Sequence, residues 1–330
     1  MARIQALGHR TLDRRHRFMP AEALPWLLAI AWYFLLPSYL TLGYQIIIWI
    51  LFALSLDLIL GYAGIVTLGH AAFFGVGAYT AGLLSVHLHW NEPITQVVAA
   101  MAVAALVGAA SGWMVLRTRS LTLVMLTLAT TILLQETGNL FESVTGGADG
   151  LRDVKIDPVF GLFKFDLWGR TGFLYCLAVL FVLFLVTRAI VHSPFGQSLR
   201  GIRENQLRMP ALGAPVPREL LAVYAISAAM AGAAGALLTQ TSQFTALETL
   251  SFTRSGDVLV ILILGGTGRL YGAFIGATIY VIVQDQLAKL SPTYWLFGLG
   301  LVLVLTVVFA PRGLLGLMED ATVRLGRWRR

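Results

Sequence analysis

The chain has 330 residues, of which 57% are hydrophobic and only 12% charged, against about 25% charged in an ordinary soluble domain. So little polar surface cannot coat a water-soluble globule of this length, and lipid must cover part of it. The formal net charge of +7 is scattered between long apolar runs, which argues against nucleic-acid binding. The single cysteine, Cys176, excludes an internal disulfide and a thiolate metal site.

Taken in chain order, the apolar runs predict membrane spans near 23–42, 44–60, 68–88, 94–116, 121–140, 171–190, 220–240, 256–267, 271–288 and 293–310. Arg3, Arg10, Arg14, Arg15 and Arg17 precede the first run, which is too long for a signal peptide and reads as a retained helix. The run 256–267 is too short to cross alone unless it bends or sits in a protein-lined cavity, so nine spans are an alternative to ten. With about ten spans and the N-terminus inside, all but six of the 24 basic residues fall on the inner side; the six are Arg152, Lys155, Lys164, Arg170, Arg254 and Lys289. That bias is the one the positive-inside rule requires. The expected organisation is a basic segment 1–22, one transmembrane domain over 23–318 and a basic tail 319–330, both termini being cytoplasmic. Two connections are long, an outer loop 141–170 rich in Gly and Asp and an inner loop 191–219 rich in Arg, and loops of this size in a compact bundle are usually functional.

No G-x-x-x-x-G-K-[ST] phosphate loop, H-E-x-x-H or G-x-S-x-G occurs, so the chain offers no ATP site of that kind and no hydrolase motif. Glycine is the informative residue. Gly61, Gly64, Gly69, Gly75 and Gly77 lie between the second and third spans, and Gly265, Gly266, Gly268, Gly272 and Gly276 form a weak echo between the eighth and ninth. Paired broken spans of this kind line the path in many transporters; close helix packing, as at Gly108-x-x-x-Gly112, is the plainer explanation for any one of them. Asp57, His70, Glu136, Asp257 and Asp285 are polar groups in or at the ends of apolar runs, where they are costly and point to function. Asp57, one turn before Gly61, could equally satisfy backbone N–H groups freed at a helix break, and His70 could orient the broken segment or contact solute.

The inner loop carries Pro194, suited to a helix start, then Leu199, Ile202 and Leu207 as one apolar stripe beside Arg200, Arg203, Glu204 and Arg208, with Gly213 as a cap. A short amphipathic helix on the cytoplasmic side is a docking surface for a partner, or else lies on anionic lipid.

These motifs resemble the branched-chain amino acid ABC transporter permease family in its LivM-like branch, roughly from the second span to Gly316. The resemblance is carried by Gly61-Tyr62-Ala63-Gly64 through Gly77-Ala78-Tyr79, by Thr145 to Leu151, by Phe195 to Gly213, by Leu264 to Gly268 with Tyr271 to Ala277, and by Pro311-Arg312-Gly313-Leu314. It implies an all-α, polytopic, ribose-permease-like importer bundle in the bacterial inner membrane. It further implies a second homologous permease, two cytoplasmic ATPase subunits that bind ATP and Mg in place of this chain, and a periplasmic solute-binding protein. Arg200, Arg203, Glu204, Arg208, Leu212 and Gly213 would then couple to the ATPases, while Asp57, Gly61, Gly64, His70, Gly75, Gly77, Gly265, Gly266 and Gly268 are candidates for the path. The sequence departs from the family pattern at Asp57, where Asn is expected, and at Pro210, where Glu is expected. Urea or short amides are an alternative solute, and an ion-coupled carrier using Asp57 or Glu136 is an alternative machine.

Overall fold

The computed structural model describes residues 20–118, 120–159, 161, 163, 166, 169–292, 294–309 and 313–316. The basic tail 319–330, nearly all of the segment 1–22, and Arg119, Lys164, Pro311 and Arg312 lie outside them. The described chain is helical, and its β-pairing is confined to isolated bridges such as Leu151 with Thr245. Helices occupy each of the apolar runs: α1 Leu24–Leu35, α2 Leu40–Asp57, α3 His70–Leu88, α4 Pro93–Val115, α5 Leu121–Leu140, α6 Arg170–His192, then the surface helix α7 Pro194–Glu204, and α8 Val216–Ser242, α9 Phe252–Gly265, α10 Gly272–Leu290 and α11 Trp295–Phe309.

Six segments, α2 to α6 and α8, are long and apolar enough to cross a membrane. The others are shorter or more polar. α1 has only 12 residues, a length of about 18 Å at 1.5 Å per residue, and the expected first span 23–42 is divided. The reason is Pro37: the residue before a proline is pushed out of the helical region, and Leu36 sits at φ −129°, ψ 58°. α9 has 14 residues and is preceded by a single 3-10 turn, Leu247–Leu250. Its first turn meets the first turn of α3, where the Ala71 N–H donates to Ser255 Oγ at 2.9 Å.

α2 is the centre of the bundle. Leu51, Phe52, Ala53, Leu54 and Leu56 have no exposure, as expected of a helix that is apolar all round, and it packs on α6, α8 and α10. Lipid is as apolar as leucine, so association rests on close packing of small residues rather than on hydrophobic burial. α8 supplies that surface to α3 and α4. A Cβ added at Gly77 would stand 2.1 Å from the Gly232 carbonyl oxygen, and one at Gly108 would stand 2.4 Å from Ala228 Cβ. Gly77→Leu is therefore expected to wedge α3 from α8 at a cost of about 1–3 kcal/mol. The measurement is the thermal unfolding midpoint in detergent, with Gly256→Ala, where an added Cβ meets nothing within 4 Å, as the unshifted control.

The two ends of the bundle differ. At one, α7 lies beside the breaks that follow α2 and α9, with Arg188, Arg200 and Arg203 around them. At the other, the loop after α5 is strapped down: the Leu151 N–H donates to Thr245 O at 2.8 Å and the Lys155 N–H to Ser85 Oγ at 2.9 Å.

Candidate functional site

α2 does not stop cleanly. After Asp57 it widens into a π-turn, Leu58–Tyr62, and the chain then runs without helix to Gly69. Gly64 takes φ +75°, in the left-handed region that glycine alone enters without strain. Helix breaks free backbone groups, and each one left unpaired in an apolar interior is costly. Here the two glycine-rich breaks satisfy each other. The Gly268 N–H, from the turn after α9, donates to Asp57 Oδ1 at 2.7 Å, and Asp57 is fully buried. Gly268 is itself left-handed at φ +76°.

The surface helix closes this junction. Ser193 caps α7 by accepting the Gly196 N–H at 3.3 Å, and Pro194 occupies its first turn. Leu199 and Ile202 are buried; Arg203 is exposed overall, but its side chain runs along Gly64 and its guanidinium reaches Gly268. Its Nη1 donates to the Gly61 carbonyl oxygen, which the π-turn leaves accessible. The carbonyl it binds belongs to the residue beside Asp57, whose Oδ1 would stand 2.0 Å from a Cβ added at Gly61. Arg200 Nη2 donates to Val191 O at 2.7 Å, tying α7 to the end of α6, and Arg188 pairs with Glu22. A cleft of about 250 Å³ lies among these groups.

The sequence-derived residues thus divide into three sets. Asp57, Gly61, Gly64, Gly268 and Arg203 come together, although Asp57 and Gly268 are 211 positions apart. Gly266 adjoins them, and an added Cβ at Gly313 would stand 2.4 Å from its Cα. His70, Gly75, Gly77 and Gly265 lie in packing instead. His70 is buried, its Nε2 2.8 Å from Ser55 Oγ, its ring stacked on Phe52 at 5.5 Å; Gly75 faces Leu250 and Gly265 faces Gly272. Arg200 is half-buried on the wall of the first set's cleft, and the third set, Glu204, Arg208, Leu212 and Gly213, is exposed at or beyond the end of α7. Here the expected apolar stripe fails at Leu207, which is 77% exposed, because α7 ends at Glu204 and a separate 3-10 turn, Met209–Leu212, follows. Pro210 in that turn cannot continue a regular helix, and Gly213 caps it at φ +86°.

Residues 38–307 match the protein family described as branched-chain amino acid transport system / permease component. The high-affinity branched-chain amino acid transport system permease protein LivM of Escherichia coli is 31% identical over 316 residues, spanning 87% of this chain and 72% of that protein. Its counterpart in Salmonella typhimurium is 30% identical over the same spans. The LivH permease protein of Escherichia coli is 25% identical over 292 residues, covering 82% of this chain and 91% of that one. No solved structure matches the chain.

Proposed function

The chain belongs to the branched-chain amino acid transport permease family, and from that premise we propose that it passes branched-chain or closely related amino acids inward through a ten-helix, ribose-permease-like bundle. It is a transport subunit rather than an enzyme. A periplasmic binding protein delivers the solute, a second and homologous permease completes the path, and two cytoplasmic ATPase subunits bind ATP and Mg. That both LivM and LivH relatives match supports a paired permease. The basic end of the bundle faces the cytoplasm of a bacterial inner membrane, in keeping with the distribution of Lys and Arg.

One observation carries the mechanism: Arg203 of α7 bonds the Gly61 carbonyl at the break in α2. The turn beyond α7 presents Leu207 and Leu212, 77% and 79% exposed, which suits an apolar docking patch outside the membrane. ATP binding closes the partner ATPases, α7 moves with them, and Arg203 transmits that motion to the junction of Asp57, Gly61 and Gly268. The cycle is driven because ATP favours one of two states of the assembly. Weak contacts inside the path suffice, since capture belongs to the binding protein.

The experiment is uptake of labelled leucine and, separately, urea in cells lacking this chain, with and without its return. Leucine uptake is expected to return only while the ATPase subunits are intact. Urea uptake in its place would keep the machine and change the solute. Uptake that survives loss of the ATPases but collapses with an uncoupler would replace the machine by an ion-coupled carrier.

A further inference from the structure

A second cavity, of about 360 Å³, opens at the opposite end of the bundle between α2, α9 and α10. None of the path residues described above lines it. Its size is at the lower end of the roughly 300–1,000 Å³ of small-molecule sites. Its wall brings together Arg254 from the first turn of α9, Asp285 from near the end of α10, the amides of Gln45 and Gln284, and the rings of Trp49 and Phe74. Resting on the function proposed above, we propose that this cavity receives the delivered amino acid at the outer face: Arg254 takes its carboxylate, Asp285 its ammonium, and Trp49 and Phe74 flank its side chain.

The charges are held in place but lightly. Arg254 pairs with Glu248 at 3.0 Å and Asp285 with Lys289 at 2.5 Å, and the outward partners Glu248 and Lys289 are 70% and 58% exposed. Exposed ion pairs contribute about 0–1 kcal/mol, so a ligand carrying both charges can replace both partners at small cost. The Arg254 guanidinium lies 5.8 Å from the centre of the Trp49 ring, a cation–π contact that keeps it at the wall. A zwitterion matches one cation and one anion together. An amine or an acid alone satisfies only one of them, and urea, uncharged and without an aliphatic chain, uses neither the charges nor the rings. The two glutamines offer both donors and acceptors for the remaining polar atoms of the ligand.

The test uses the assembled transporter in membrane vesicles, with partner subunits free of exposed cysteines and with Ala288→Cys, on the cavity wall, as a reporter for a membrane-impermeant maleimide. The native cysteine, Cys176, is buried and does not compete. Without binding protein, leucine at about ten times its half-saturating concentration is expected to slow labelling about ten-fold. Isopentylamine and 4-methylpentanoate, each bearing one of the two charges, protect less. Adding Arg254→Gln weakens protection by leucine about ten- to a hundred-fold in concentration, the size of a charge-assisted hydrogen bond. Absence of protection by leucine, or equal protection by all three compounds, overturns the site. Leucine uptake by vesicles without the reporter, now supplied with the binding protein and with ATP inside, separates the two failures. Leucine carried but not protective removes the cavity alone; leucine neither carried nor protective removes the substrate reading as well.

Discussion

Asp57→Leu is expected to stop transport, and Asp57→Asn to retain most of it. The difference lies in one acceptor. Asp57 Oδ1 takes the Gly268 N–H at 2.7 Å, in a position without exposure. Asparagine keeps a carbonyl oxygen at that point, whereas leucine fills the volume and leaves the N–H unpaired, at a cost of about 1–3 kcal/mol. At 1.4 kcal/mol per factor of ten, that shifts the closed junction toward an open one by about five- to a hundred-and-forty-fold. Gly61→Ala reaches the same result from the other side. Its Cβ would stand 2.0 Å from Asp57 Oδ1 and 2.5 Å from the Gly268 nitrogen, between the two atoms that must meet. The measurement is leucine uptake per inserted transporter, with protein amount read by immunoblot. Uptake by Asp57→Leu at the unaltered rate would remove the junction from the mechanism. Equal loss in Asp57→Asn and Asp57→Leu would show that the negative charge facing Arg203 matters, rather than the acceptor.

The parts legible in the sequence are those with a local cause. A span must be apolar over its own length, so the runs located the helices. The glycines after Leu60 marked the break, and Pro194 and Gly213 marked the limits of the surface segment. Pro37 carried an equally local signal for the division of the first span, hidden because leucines and aromatics continue across it. What the sequence could not order was contact across the bundle. Asp57, Arg203 and Gly268 meet only once α2, α7 and α9 are folded together, and their spacing contains no period that predicts it. Glycine density had the opposite fault. It groups Gly75 and Gly77, which stand against Leu250 and Gly232, with Gly61, which stands against Asp57 and Gly268. Composition cannot tell a glycine that bends a chain from one that lets two backbones touch. Arg254, on the wall of the proposed outer cavity, is among the six basic residues that the positive-inside reading leaves on the outer side.

The division of α7 and its following turn into inward and outward faces separates two roles that the sequence merges. Arg203→Ala is expected to leave the ATPases bound while uptake falls about ten-fold or more, the worth of a hydrogen bond from a charged donor being about 1.5–3 kcal/mol. Arg203→Lys should keep part of the activity, because an ammonium can reach one acceptor but lacks the planar fork that spans the Gly61 carbonyl and the space beside Asp57. Arg203→Glu should be the most severe, since it places a second carboxylate near Asp57 and faces a carbonyl oxygen with another acceptor. Leu212→Asp acts on the other face. It puts a charge into an exposed apolar patch, so the ATPases should fail to co-purify with the permease, and loss of uptake follows from loss of assembly. Co-purification and binding-protein-stimulated ATP hydrolysis therefore distinguish the two variants. If Arg203→Ala released the ATPases as Leu212→Asp does, Arg203 would belong to the docking surface, and its bond to Gly61 would merely hold α7 in shape. If instead it kept them bound with stimulation lost, the bond to Gly61 would be the step at which movement outside the membrane reaches the break within it.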